Sequence, residues 1–501
     1  MSASPVALPF ATLLPLDRSS RVPVYLQLVT GLTQAMQAGL LPPGTRLPGT
    51  RSLAATLGVH RQTIVAAFEE LLAQGWCEAR PASGTFVRGV LPHLQPRVLP
   101  EPTPESQAAA VYPSRTGFAL ATSLLPREAA GPPPARWGFQ DGYPDVRLAP
   151  MRELARAYRA VAGRASVRSH LEYGDPRGLY SLRQRLAHHL HTTRGLRIGP
   201  DNLLITHGGQ MGFYLAAQLL CAPGQLVAVG ETSCPIVDAT FRQAGAELLR
   251  VRVDQQGLDV NHLAALCQQH PVRAVSVTPH HHHPTTVTLS APRRRQLLAL
   301  AQQHGFAIVE DDHDYDFHYR GSPTLPLASG DTHGLVVYVG SLSKVLAPAV
   351  RLGYLVGPAN LIEQAAALRQ LVDVQGDTIL EQAVAELLDE GLLTRHLKKA
   401  VRVYERRRDR LCALLTEQLP QAVTFAPPVG GLAVWTTFAA SLPLPALAEA
   451  ARQRGLYLAT SRHRTLEGEV LNATRLGFSA LDELELDRAV TLLTQVVRQF
   501  Q

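Results

Sequence analysis

Between residues 90 and 136 proline recurs too often for a packed domain. The run VLPHLQPRVLPEPTPES occupies 90–106, and GPPPAR follows at 131–136. Each proline fixes φ and removes a backbone donor, so such a stretch stays extended and semi-rigid. One continuous core is excluded. The chain divides into a small domain over 1–89, a linker over 90–136 and a large domain over 137–501, with a smaller C-terminal subdomain from about 400. A length of 501 residues is ample for at least two cores.

Composition narrows the class. An apolar fraction of 46% with a mean hydropathy of zero fits a globular protein. No run of about 18 apolar residues predicts a membrane span, and the N-terminus lacks the basic segment and apolar core of a secretory signal. The five cysteines are odd in number, scattered and without a CxxC pair, which predicts a reduced, cytoplasmic protein. A net charge of +7 permits nucleic-acid binding without demanding it.

The small domain reads as three helices and a hairpin. VYLQLVTGLTQAMQAGL has apolar residues at helical spacing and stops at Gly39. A short helix follows over RSLAATLG, with Thr50 as its expected cap and Gly58 as its end. The third runs from Arg61 to Ala73 on an apolar stripe that includes Ile64, Phe68 and Leu71. Residues 76–80 and 85–88, joined by PASG, predict a two-stranded wing. Two helices across the tight turn Gly58-Val59-His60 have helix-turn-helix spacing, which would put Arg61, Gln62 and Thr63 at base edges. A plain three-helix bundle with a polar face fits the spacing equally well.

The strings Pro43–Ala54, Leu57–Ile64 and Gly84–Val87 closely resemble the GntR family of winged-helix repressors. The resemblance implies DNA contacts from Arg51, Arg61, Gln62 and Thr63, and from Gly84 and Thr85 in the wing. His60 stands where that family usually has a serine cap, which predicts a recognition helix looser by about 1 kcal/mol.

In the large domain, short apolar strands alternate with helices: 203–206, 226–229, 274–278, 307–310, 336–339 and 353–356. That alternation predicts an α/β fold on a mostly parallel, covered sheet. Lys344 is one of only three lysines, with Lys398 and Lys399, among 48 basic residues. Where arginine has replaced nearly every lysine, one that stays is a candidate for chemistry arginine cannot do, such as forming a Schiff base. Ser341, Ser343 and Arg351 around it can hold a phosphate. Gly208-Gly209-Gln210 follows one strand and opens a helix, where backbone N–H groups bind anions. Asp311 ends another strand, and His313 follows it. Taken singly, a GGQ turn is more often a plain helix start, and adjacent acids after a strand are more often solvated or capping.

With these landmarks in order, the large domain looks like a fold-type I aminotransferase, and the whole chain resembles the MocR family of pyridoxal phosphate (PLP)-dependent transcriptional regulators. The resemblance extends over nearly the full length. It implies that Lys344 forms the PLP aldimine and that Asp311 pairs with the pyridine nitrogen. Gly208, Gly209, Gln210, Ser341, Ser343 and Arg351 would hold the phosphate, with Tyr173 supplied by the second subunit of a head-to-tail homodimer. Arg475 would receive the carboxylate of an amino-compound effector, and operator DNA would be the other partner.

Three departures surround the ring. His313 replaces a usual tyrosine, so a charge varying near neutral pH is expected there. Cys234 replaces a tyrosine. His280-His281-His282-His283 replaces a different segment, and His283 is the first of these expected in the pocket. Consecutive histidines are poor metal ligands, so a solvated loop is the plainer alternative and no metal is expected. These changes predict weak or absent transaminase turnover. The competing reading is a working aminotransferase with a vestigial DNA module.

Overall fold

A computed structural model describes residues 10–20, 22–81, 83–91, 116–119, 137–321, 324–460 and 463–501. Nearly all of the proline-rich stretch lies outside these residues. The chain forms two compact units that divide near residue 121.

In the N-terminal unit, helices Val24–Gln37, Thr50–Leu57 and Arg61–Ala73 precede strands Cys77–Arg80 and Gly84–Val87, paired antiparallel with Cys77 opposite Val87. Leu28, Leu32, Ile64, Phe68, Leu71 and Trp76 share its core. Ile64 and Leu71 are fully buried, each contributing about 1.5–3 kcal/mol from apolar burial. Gly58 ends the second helix at φ 62°, a left-handed conformation natural to glycine, and its N–H bonds the Ala54 carbonyl. One local expectation is corrected. Gly49, without a side-chain cap, holds the N-cap position of the second helix, and Thr50 is its first residue. His60 does cap the recognition helix: its Nδ1 accepts from the Gln62 N–H at 3.3 Å. An imidazole nitrogen thus replaces a serine oxygen.

The C-terminal unit is built on a seven-stranded sheet in the order Leu203–Thr206, Gly353–Val356, Val336–Ser341, Ala307–Asp312, Val272–Val277, Leu226–Gly230, Glu247–Val251. All strands are parallel except Gly353–Val356, which runs antiparallel to both neighbours. Helices cover both faces, which explains why the central strands read as unbroken apolar runs. The edge strand Glu247–Val251 was not anticipated; its residues are exposed to half-buried except Val251, so no such run marks it.

Beyond the long helix Leu392–Gln418, strands Val423–Phe425, Ala433–Phe438 and Ala473–Gly477 form an antiparallel sheet that shares a core with that helix and helix Glu483–Val497. Strand Trp137–Phe139 pairs parallel with Leu456–Leu458, tying the start of this unit to its end.

The topology sets the site. Strands 203–206, 272–277, 307–312 and 336–341 all end at one edge of the sheet, and the antiparallel strand 353–356 begins there. The loops after the parallel strands and the residues before Gly353 therefore converge, as expected at the carboxyl ends of an α/β sheet.

Candidate cofactor pocket and nucleic-acid interface

A cavity of about 490 Å³ opens at that edge. Among its walls are Gly209, Gln210, Asp311, His313, Ser341, Ser343, Lys344, Arg351, His283 and Arg475, brought together from five separate stretches of chain. Gly208 adjoins it, at the N-cap of helix Gly209–Leu220.

One end is shaped for an anion. Gly208 has φ 74°, and a Cβ there would lie 2.5 Å from Nη2 of Arg351. Only glycine lets the guanidinium approach the helix N-terminus so closely. Arg351 itself is left-handed at φ 52°, a strained state for a side chain of its size. It bonds the His207 carbonyl at 3.1 Å, and no ion pair to it occurs among the described residues. The buried Ser343 hydroxyl has no partner, whereas the Ser341 hydroxyl accepts from the Ser343 N–H at 3.1 Å. Gln210 donates to Thr240 at 2.7 Å. An uncompensated guanidinium, an orphan hydroxyl and free helix N–H groups are what a phosphate needs.

Lys344 stands in the middle. Its Nζ donates to the Gly142 carbonyl and lies 5.9 Å from the Tyr143 ring centroid. Burial lowers its pKa, against the pull of Asp314 and Asp141, which favours the neutral amine that attacks carbonyls. Asp311 is buried and accepts from Thr278 Oγ1 at 3.3 Å.

Of the ring-side departures, His283 stands in the cavity wall. His313 lies 3.2 Å from Asp311 through Nδ1 and 3.5 Å from Asp314 through Nε2. Burial opposes its charge, but Asp314 and Asp311 outweigh burial and raise its pKa to about 9. Between the two carboxylates the charged form of His313 is favoured at neutral pH. The histidine run is not a solvated loop: His280, His281 and His282 are all buried. His280 meets the Thr324 carbonyl at 2.5 Å, His281 meets Asp314 at 2.8 Å, and His282 meets Thr285 at 2.8 Å. Burial first, then neighbouring cations, keeps His282 neutral with a pKa of about 3. Cys234 borders the cavity with its pKa pushed up to about 12 by burial, so its thiol stays protonated. Tyr173 is not brought into the cavity; it is 87% exposed.

Two residues that the sequence reading passed over matter most here. Asp141 pairs with both Arg475 and His283, and Asp314 holds His281 and His313. Asp314 stands one residue past His313, so proximity in sequence was a usable signal. Asp141 carried none.

In the N-terminal unit, Arg51, Arg61, Gln62 and Gly84 are exposed, and Thr63 and Thr85 are partly exposed. Arg61 Nε donates to Thr50 Oγ1 at 3.4 Å, which links the two helices of the motif. Arg46 was not singled out, yet its guanidinium lies over the wing: a Cβ on Gly84 would come 3.3 Å from its Nε.

A lysine at the centre of a phosphate-shaped cavity, at the carboxyl edge of this sheet, defines the PLP-binding domain of the class I aminotransferase fold, here joined to a winged helix. Two family descriptions match accordingly: aminotransferase class I and II over residues 143–493, and bacterial regulatory proteins of the gntR family over residues 24–87. The chain is 31% identical to the HTH-type transcriptional regulator TauR of Rhodobacter capsulatus, over 93% of this chain and 95% of that one. It is 28% identical to the "Probable rhizopine catabolism regulatory protein MocR" of Rhizobium meliloti, over 96% and 95%. The large unit also matches the crystal structure of a Pyrococcus horikoshii kynurenine aminotransferase, with a TM-score of 0.68 and 26% identity over 72% of this chain and 90% of that one. The chain belongs to the MocR family: it is a PLP-dependent, DNA-binding transcriptional regulator with an aminotransferase-like domain.

Proposed function

We propose that PLP, alone or joined to an amino compound, is the signal that sets how tightly this regulator holds its operator. The observation that supports this most directly is one chain carrying both an exposed Arg51–Arg61 recognition surface and a cavity with a phosphate-shaped end and a central lysine. A ligand changes DNA affinity only if it binds two conformations unequally.

The residues fit the cofactor. Gly208, Gly209, Gln210, Ser341, Ser343 and Arg351 would hold its phosphate, and Lys344 would hold its aldehyde carbon. Asp311 would face its ring nitrogen, with His313 and His283 beside the ring. When bound, PLP supplies an aldehyde that condenses with amines and a ring that withdraws electrons. The exposed Tyr173 would complete the site of a second copy in a head-to-tail dimer. His313 has both ring nitrogens directed at carboxylates, so the free donor that a tyrosine would offer is missing. That supports sensing over turnover. The reading also makes the protein cytoplasmic.

The test is binding to the DNA upstream of its own gene with PLP titrated and amines added. Affinity that shifts with PLP or with an amine, without steady turnover, supports the proposal. Identical affinity under all conditions sinks it.

A further inference from the structure

Arg475 is the residue a ligand carboxylate would use, yet its own chain already occupies it. Its Nε donates to Asp141, and Nη1 reaches the Pro284 carbonyl at 3.3 Å. The remaining edge lies beneath Gly142, where a Cβ would sit 3.1 Å from Nη2 and 3.7 Å from Nζ of Lys344. The guanidinium side chain is only 6% exposed. His283 Nε2 grips the other Asp141 oxygen at 2.8 Å. The aspartate is held from two sides, by Arg475 and by His283.

Asp141 itself is 42% exposed and looks into two spaces. One is the cofactor cavity. The other is a neighbouring cavity of about 590 Å³ whose walls include Trp435 and His463, and which shares Asp141, His283 and Arg475 with the first. A residue packed for structure alone has no reason to sit at the junction of two cavities.

We propose that Asp141 is a specificity-determining residue. It stands in for a ligand carboxylate on Arg475, so the pocket accepts primary amines with no carboxylate on the amine-bearing carbon and excludes α-amino acids. This rests on the reading of the first cavity as the PLP site. A second carboxylate on Arg475 would lie against Asp141, two like charges in a partly buried pocket where their repulsion is poorly screened. Displacing Asp141 instead would strip His283 and Arg475 of their shared partner. An amine beside Asp141 meets neither obstacle, and the second cavity gives the rest of its chain room.

The probes are n-butylamine and L-norvaline, which differ only by the carboxylate. The full-length protein is loaded with PLP, and the visible spectrum is titrated with each. Wild type should respond to n-butylamine with an apparent affinity at least ~10-fold above that for L-norvaline. Asp141→Asn, nearly isosteric, should reverse the order. Adding Arg475→Met to Asp141→Asn should cancel the gain, which assigns it to Arg475. Equal responses in wild type, or a ratio unchanged by Asp141→Asn, overturn the proposal. If no PLP band forms in wild type, the cofactor reading fails by itself. Calorimetry of the PLP-free protein with succinate then still decides: binding heat in the variant and none in wild type supports the role of Asp141, and equal heats overturn it. Asp141→Ser replaces the asparagine variant if that one melts early.

Discussion

Asp314 lies 3.5 Å from Nε2 of His313, opposite Asp311 on the other ring nitrogen. This pairing makes the histidine a standing cation. A pKa raised to about 9 from an ordinary 6.5 means that the charged form stabilises the fold fully below about pH 6.5. That contribution is lost as pH rises through 9, and its ceiling is about 3 kcal/mol. Thermal melting should therefore fall between pH 7 and 9. In Asp314→Asn the fall should start at the same pH, set by the unfolded histidine, but be smaller and end at lower pH, because one of the two carboxylates is gone. A melting profile that matches wild type across this range would contradict the pairing.

Gly208 and Arg351 make a second testable pair. In Gly208→Ala the new methyl lands on the guanidinium, and the backbone must hold φ 74° with a side chain. The expected result is a loss of about 1–2 kcal/mol in stability and PLP affinity weakened by roughly tenfold or more. Absorbance titration reads the second effect. Ser341→Ala makes a useful contrast. Its hydroxyl already accepts a bond from the Ser343 N–H, so a milder loss of affinity is expected.

What the sequence made legible follows from where the determining interactions lie. Strand 307–312 and its neighbours were readable because burial on both faces leaves an unbroken apolar run. Lys344 stood out because arginine had replaced nearly every other lysine. The edge strand Glu247–Val251 gave no such run. Asp141 was invisible because its meaning is its pairing with Arg475, 334 residues away. The burial of the histidine run was hidden for a related reason: Asp314, which partners His281, lies 33 residues further on. Local composition reports burial periodicity well and reports tertiary electrostatics hardly at all.

The recognition surface predicts a division of labour between two arginines. Arg61 opens the recognition helix, is exposed and bonds Thr50. Arg61→Ala should cost about 1–3 kcal/mol of operator affinity if it reads a base. Arg46, over the wing, is placed for a phosphate. Arg46→Ala should weaken all sequences alike and reduce the slope of log affinity against log salt by about 1. Fluorescence anisotropy at several salt concentrations separates the two. Both variants should melt with wild type, since neither side chain is buried.

Lys344→Ala tests whether the two units communicate. The amine of the half-buried lysine donates to the Gly142 carbonyl. Replacing it removes a group that burial already disfavours in its charged form, so folding should survive and the melting temperature should hold. The visible band of covalently held PLP should vanish. Arg351 and Ser343, which would hold the phosphate, are untouched, so some PLP should still bind, more weakly and without that band. If covalent capture is what biases the conformations, operator affinity in the variant should no longer change as PLP is titrated. If PLP still shifts the affinity of Lys344→Ala for DNA as it does in wild type, the signal comes from filling the phosphate end, and the lysine has no part in it.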